Sequence, residues 1–105
     1  MSTERSGLLI VADRGHNHTR LLRADTGKDL GVWDCGLAFG ARGVPFGVRT
    51  LRRGDRDLVL VASMDNPQDH RDQFIHVLDA THLSADAGAS SPCSVLQTIT
   101  INPAE

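Results

Sequence analysis

Short apolar runs alternate with polar stretches along the chain. Leu8 to Ala12 is a solid apolar run, and Asp13 to Thr19 after it is polar. Leu21-Leu22, with Ala24 behind, forms a second run. Asp25-Thr26-Gly27-Lys28 reads as a tight turn, and Leu30 to Trp33 as a third run. Apolar runs this short, bounded by Gly, Asp and Asn, predict strands rather than helices. Strands are expected over 8–12, 20–25 and 29–33, joined as a meander. Both faces of the first run are apolar, as in a sheet covered on both sides.

The plan returns in the second half. Pro45 to Leu51 predicts a strand, Arg52 to Asp57 a charged turn around Gly54, and Leu58 to Ala62 a strand. Ser63 to Asp72 is a polar loop, and Phe74 to Asp79 is the returning strand. Ala80 to Pro92, rich in Ala, Ser, Gly and Asp, reads as a loose loop. Ser94 to Ile101 alternates apolar and polar residues and is rich in β-branched types, as a half-exposed strand should be. LLIVAD at Leu8 aligns with LVLVAS at Leu58, an offset of 50, and Asp25 aligns with Asp79, an offset of 54. The difference is an insertion in a polar loop. The expected fold class is all-β, a pair of antiparallel four-stranded meanders. Residues 1–7 read as a polar lead-in, 8–44 as an incomplete first unit with its connection, and 45–105 as the second unit. Nothing before Leu8 looks able to serve as an opening strand for the first.

Composition adds limits. At 105 residues the chain suits one small domain, and its core must be aliphatic, with three Phe, one Trp and no Tyr. The formal charge of -2 gives no general attraction to nucleic acid or anionic lipid. Arg49, Arg52, Arg53 and Arg56 alternate with Asp55 and Asp57, which favours a solvated turn over a phosphate-binding patch. No apolar run is long enough to cross a membrane as a helix, and the start does not resemble a signal peptide. A cytoplasmic location is the expectation. Gly36, Gly40 and Gly43 lack the Lys and Ser/Thr spacing of a phosphate loop.

The segment VADRGHNHTRLLRADTGKDLGVW resembles an NHL-type β-propeller repeat. Val11-Ala12-Asp13 matches its V-A-D, Asn17 and Arg20 sit near its Asn and Arg, and Thr26-Gly27-Lys28 matches the turn before the outer strand. Pro45-Phe46-Gly47-Val48 matches the opening of a following repeat. In the second unit Ser63 replaces the Asp, and no Arg takes the equivalent place. The resemblance implies two blades, the first incomplete. A closed propeller needs at least about four. It therefore implies part of a longer propeller, a ring of copies, or a small sandwich. The implied function is a scaffold that binds a protein partner or further blades, with self-association through open blade edges. The alternative it implies is a propeller-type hydrolase or lactonase. No cofactor is implied by the leading reading, and an enzyme is the less favoured one.

Candidate chemistry gathers in the loops. In a four-stranded meander the loops at 13–19, 34–44 and 63–72 are expected to share one rim, bringing together Asp13, Arg14, His16, Asn17, His18, Asp65, Asn66, Asp69 and His70. His16 and His18, with Asp69 or His70, could supply imidazole and carboxylate ligands to a divalent metal, which needs about four donors. The competing reading, that polar residues fill wet loops, is favoured. A His and an Asp across the rim could also perform acid–base work. Asp13 is expected to anchor its turn and pair with Arg20. His76 reads as a packed or edge histidine, His82 as solvated, and Trp33 as an outer-strand packing residue. Cys35 falls on the rim and Cys93 on the opposite face, a strand length apart, so two free thiols are expected.

Overall fold

Two antiparallel four-stranded meanders form the chain in the computed structural model, which describes residues 2–5, 7–13, 18–35, 44–64 and 73–101. The first sheet is β1 (Ser2–Arg5), β2 (Leu8–Asp13), β3 (His18–Arg23) and β4 (Asp29–Val32), hydrogen-bonded in that order. The second is β5 (Val44–Arg53), β6 (Arg56–Met64), β7 (Gln73–Asp79) and β8 (Ser94–Ile101), again in sequence order. The fold is all-β, and the strands expected from the apolar runs are present within a few residues at each end. Arg53 pairs with Arg56, so Gly54 and Asp55 alone make the β5–β6 turn. Gly54 has φ +63°, a conformation that Gly adopts without the strain a side chain brings. A Gly at the first of two turn positions suits a tight hairpin whose twist matches its strands. Arg49, Arg52, Arg53 and Arg56 are all exposed, and Arg52 pairs with Asp57 at 3.2 Å, as a solvated turn should.

The opening strand of the first sheet departs from expectation. Ser2 to Arg5 is paired residue for residue with Val11 to Leu8, so the first meander has all four strands and residues 1–7 are not simply a lead-in. A ladder is held by backbone N–H and C=O groups, which a hydropathy pattern does not register. A polar, charged strand is also how proteins protect a sheet edge. The inner edge of the first sheet is therefore the polar β1 and not the apolar β2.

The sheets meet over an aliphatic interface. Leu8, Ile10, Ala12 and Leu21 of the first are buried with Val48, Val59, Val61 and Leu78 of the second, along with Trp33, Ala80 and Leu83. β5 lies against β1, β2 and β3. Full burial of such a side chain is worth roughly 1.5–3 kcal/mol, against about 0–1 for an exposed ion pair. This interface, rather than the arginine–aspartate pairs on the surface, holds the sheets together. No helix among the described residues is long and apolar enough to cross a membrane.

Residues 80–93 overturn a second expectation. They form an ordered strap, not a loose loop. Ala80 N–H donates to Asp57 O at 2.8 Å, and Leu83 is buried in the core. A 3-10 turn at Gly88–Ser90 then carries the strap alongside the end of the first sheet. Gly88 meets Leu30, Ala89 meets Gly31, and Trp33 Nε1 donates to Ser91 O at 3.3 Å. Cys93 reaches Cys35, with which it forms a disulfide across a Cα separation of 5.5 Å. Each of these pairs keeps the sequence offset of 58. The chain's two cysteines are therefore bonded, not free. The expected strand-length gap assumed that corresponding strands of the two sheets lie with their ends level. Instead, β8 starts where β4 ends.

Two outcomes follow from the strap. Cross-linking residues 58 apart removes about 4 kcal/mol of unfolded-chain entropy in the loop-closure view. Cys35→Ser should lower the denaturation free energy by up to that amount, and native thiol titration without reductant should find no reactive sulfhydryl. Two titratable thiols would contradict the bridge. A Cβ on Gly31, which has φ +103°, would lie 3.1 Å from the Ala89 Cβ. Gly31→Ala should destabilise by roughly 1–3 kcal/mol in urea unfolding, whereas Gly→Ala at an unstrained site is neutral or stabilising.

Candidate functional site

The second sheet carries a polar rung within its inward face. Along β6, Val59, Val61 and Ser63 alternate onto that face and are buried, Ser63 at 2% exposure. Strand register aligns Val48, Val61, His76 and Thr98 in one row, and Ser63, Phe74 and Thr100 in the next. His76 reaches diagonally across the rows. Its Nε2 lies 3.0 Å from Ser63 Oγ, and its Nδ1 lies 3.1 Å from Thr98 Oγ1. The Phe74 ring stacks on the imidazole with centroids 6.0 Å apart. The rung runs from the buried Ser63, through a half-buried His76, to an exposed Thr98. Burial lowers the His76 pKa from its ordinary value of 6.5, so the neutral ring is the favoured form.

A hydroxyl beside a neutral imidazole is the pairing from which a nucleophile could be activated. Ser63 is nevertheless buried, where a substrate cannot meet its hydroxyl. The arrangement satisfies the hydrogen bonding of an interior hydroxyl and links it to the surface. Such a rung is a structural device with a titratable centre. His76 is a packed histidine near an edge, as expected, but its partners Ser63 and Thr98 were not singled out in the sequence. One signal was available: Ser63 falls in phase with the buried Val59 and Val61, which marks a polar residue at a core position.

The expected rim is placed only in part. Arg14, His16, Asn17, Asp65, Asn66, Asp69 and His70 lie outside the described residues. Asp13 and His18 are opposite one another at the ends of β2 and β3. Arg20 lies 3.8 Å from Asp13, the expected pair, and closer to Asp29, at 2.9 Å. Among the described residues no three His, Cys, Asp or Glu side chains gather as a metal site. Of the four metal candidates, only His18 is described.

The shared rim also meets a geometric difference. The disulfide joins the end of the first sheet that carries Asp13, His18 and Cys35 to the end of the second that carries Asp79 and Ser94. The 65–72 connection leaves from the other end of the second sheet, at Met64 and Gln73. At about 3.3 Å per residue, that is roughly 20 Å along β6 from Leu58, the partner of Asp79. At their β4 and β8 sides, then, the two sheets do not present these loops at a common end. Trp33 is buried at 2% exposure, as a packing residue should be, and its backbone carbonyl accepts a hydrogen bond from the Thr19 hydroxyl. His82 is exposed.

The His76 shift sets a pH dependence. A histidine held neutral in the folded chain takes up a proton more readily once unfolded. Its contribution is therefore complete above about 6.5 and declines as pH falls below that value. Denaturant midpoints measured from about pH 8 down to about pH 5 should fall, and His76→Gln should flatten that part of the profile. An identical slope in the variant would contradict the assignment. No family model matches the chain, and no curated protein or solved structure matches it either.

Proposed function

We propose that the chain is a repeat-built β scaffold whose second sheet receives a further sheet on its outward face, as blades of a propeller receive their neighbours. One observation carries this: the outward face has an apolar centre, bounded by polar residues at its margins. Its rows are Gly47, Ala62, Ile75 and Ile99, then Leu60 and Val77 between Arg49 and Gln97, then Leu51 and the buried Leu58 beside Asp79 and Ser94. Leu51, Leu96, Ile99 and Ile101 are each 40–47% exposed. Gly47, Leu60, Ala62 and Ile75 line a shallow groove in the middle of the face. A sheet that ends at solvent carries alternating polar residues there, whereas apolar residues on both faces mark a sheet covered on both sides. The related plans of the two meanders support the same reading, since stacked units bury faces that a single unit cannot. The partner is accordingly another β unit, not a small substrate.

The bridge bears on the compartment. Structural disulfides persist where the surroundings are oxidising. The Cys35–Cys93 bond therefore favours such a compartment over the reducing cytoplasm first expected.

Native chain should bind a hydrophobic reporter dye while its circular dichroism stays that of a folded sheet. The pair Leu60→Glu and Ile75→Glu, at the centre of the outward face, should abolish that signal and raise solubility without unfolding the chain. If wild-type chain does not bind the dye, this reading fails, because a face built to be covered must be accessible when it is bare.

A further inference from the structure

We infer that β8 is a pairing edge, and that its partner is β8 of a second copy of this chain, running antiparallel. The inference goes beyond the scaffold reading, since it concerns the backbone edge of the second sheet rather than its outward face.

A sheet edge presents a row of unused N–H and C=O groups, and proteins cover or blunt such rows. The two sheets have four edges, at β1, β4, β5 and β8. β1 is a short polar strand that lies against β5. β5 is in turn set against β1, β2 and β3. β4 is flanked by the strap, bonded to it through Trp33 and the disulfide. Among the described residues β8 has none of these protections. Every residue from Ser94 to Ile101 is exposed, and among the described residues nothing lies along its outer side. The strand holds no Pro, no Gly and no charged residue, and Thr, Ile and Val fill five of its eight positions. Those are the properties that favour strand addition.

The chemistry of an edge calls for another extended strand, and the sequence of β8 favours its own copy. No ionisable side chain lies between Ser94 and Ile101, so two identical strands meet without opposing like charges. A two-fold axis perpendicular to the sheet keeps each face on its own side. Gln97, Ile99 and Ile101 of one copy then oppose the same outward-facing set of the other. The row through Gly47, Ala62, Ile75 and Ile99 continues into its symmetry mate, and the apolar outward face doubles in width. The interface is isologous and closes at two copies.

Sedimentation of the full, disulfide-intact chain from micromolar to millimolar concentration tests this. Wild type should sediment as a dimer. Gln97→Lys with Thr100→Lys sets one charge on each face of the strand, at exposed positions, and should weaken association roughly 10-fold or more, with the circular dichroism unchanged. The matching pair Gln97→Glu with Thr100→Glu should behave likewise, and an equimolar mixture of the Lys and Glu variants should recover the dimer. A wild type that stays monomeric overturns the inference, as does a mixture that fails to associate. A dimer that survives the charged edge and is dissolved by Leu60→Glu and Ile75→Glu also overturns it, while leaving the outward-face reading standing. A dimer lost through the edge variants alone, with dye binding to the face unchanged in them, supports the inference whatever becomes of that reading.

Discussion

The contact between residues 88–93 and residues 30–35 sets how the two sheets meet. Their shared interface is aliphatic, and burial of Leu, Ile and Val is not directional. Such faces could meet in several ways at similar cost. The strap removes that freedom because its contacts have positions. Ala89 needs the missing Cβ of Gly31, Ser91 O receives the Trp33 N–H, and Cys93 is bonded to Cys35. Together they place the start of β8 at the end of β4. As a result, Val59, Val61 and Leu78 are roofed by the first sheet, while Val95, Thr98 and Thr100 stand exposed beyond it. The gradient along the polar rung, from buried Ser63 to exposed Thr98, follows from the same placement.

Much of the fold was legible from residue pattern. The runs at Leu8 and Leu58 are strands with both faces apolar, and Gly54 makes the turn its position suggested. Two parts were not legible, for different reasons. β1 is held through its backbone, so Ser2 to Arg5 show nothing in hydropathy that would reveal pairing with β2. The strap is rich in Ala, Ser and Gly because it packs closely against another segment, and the same composition also describes an unstructured loop. The distinction lies in Leu83 and in the matched spacing of Cys35 and Cys93. Neither is informative until the partner segment at 30–35 is known.

The candidate site was less legible than the fold. Loops rich in His, Asp and Asn drew attention to residues 13–19 and 63–72, because ligands and acid–base groups are drawn from those types. The polar cluster actually formed by described residues lies within strands, and it depends on register. Ser63 and His76 touch diagonally, a contact that moving one strand by a single residue would abolish. Register here goes with which face is buried, a property of the assembled sheet. Sequence could show that Ser63 was a hydroxyl in a buried phase. It could not show which side chain would satisfy it.

The repeat is broken where its edges differ. In the first meander the third and fourth strands are joined by residues 24–28, and in the second by the much longer 80–93. The inserted length does not extend outward. It returns to flank β4, which is only four residues long, and among the described residues the eight-residue β8 has no similar cover. One insertion thus flanks an edge of the first sheet, while no other described residue lies along the outer edge of the second. In a stack of units, end surfaces are polar or covered, and joining surfaces are apolar or unpaired. By that criterion the first sheet, with its polar β1 and strapped β4, has the character of an end. The second sheet differs, with an apolar centre to its outward face and an uncharged β8. The two meanders share a plan of four antiparallel strands, and the strap is the element that distinguishes them.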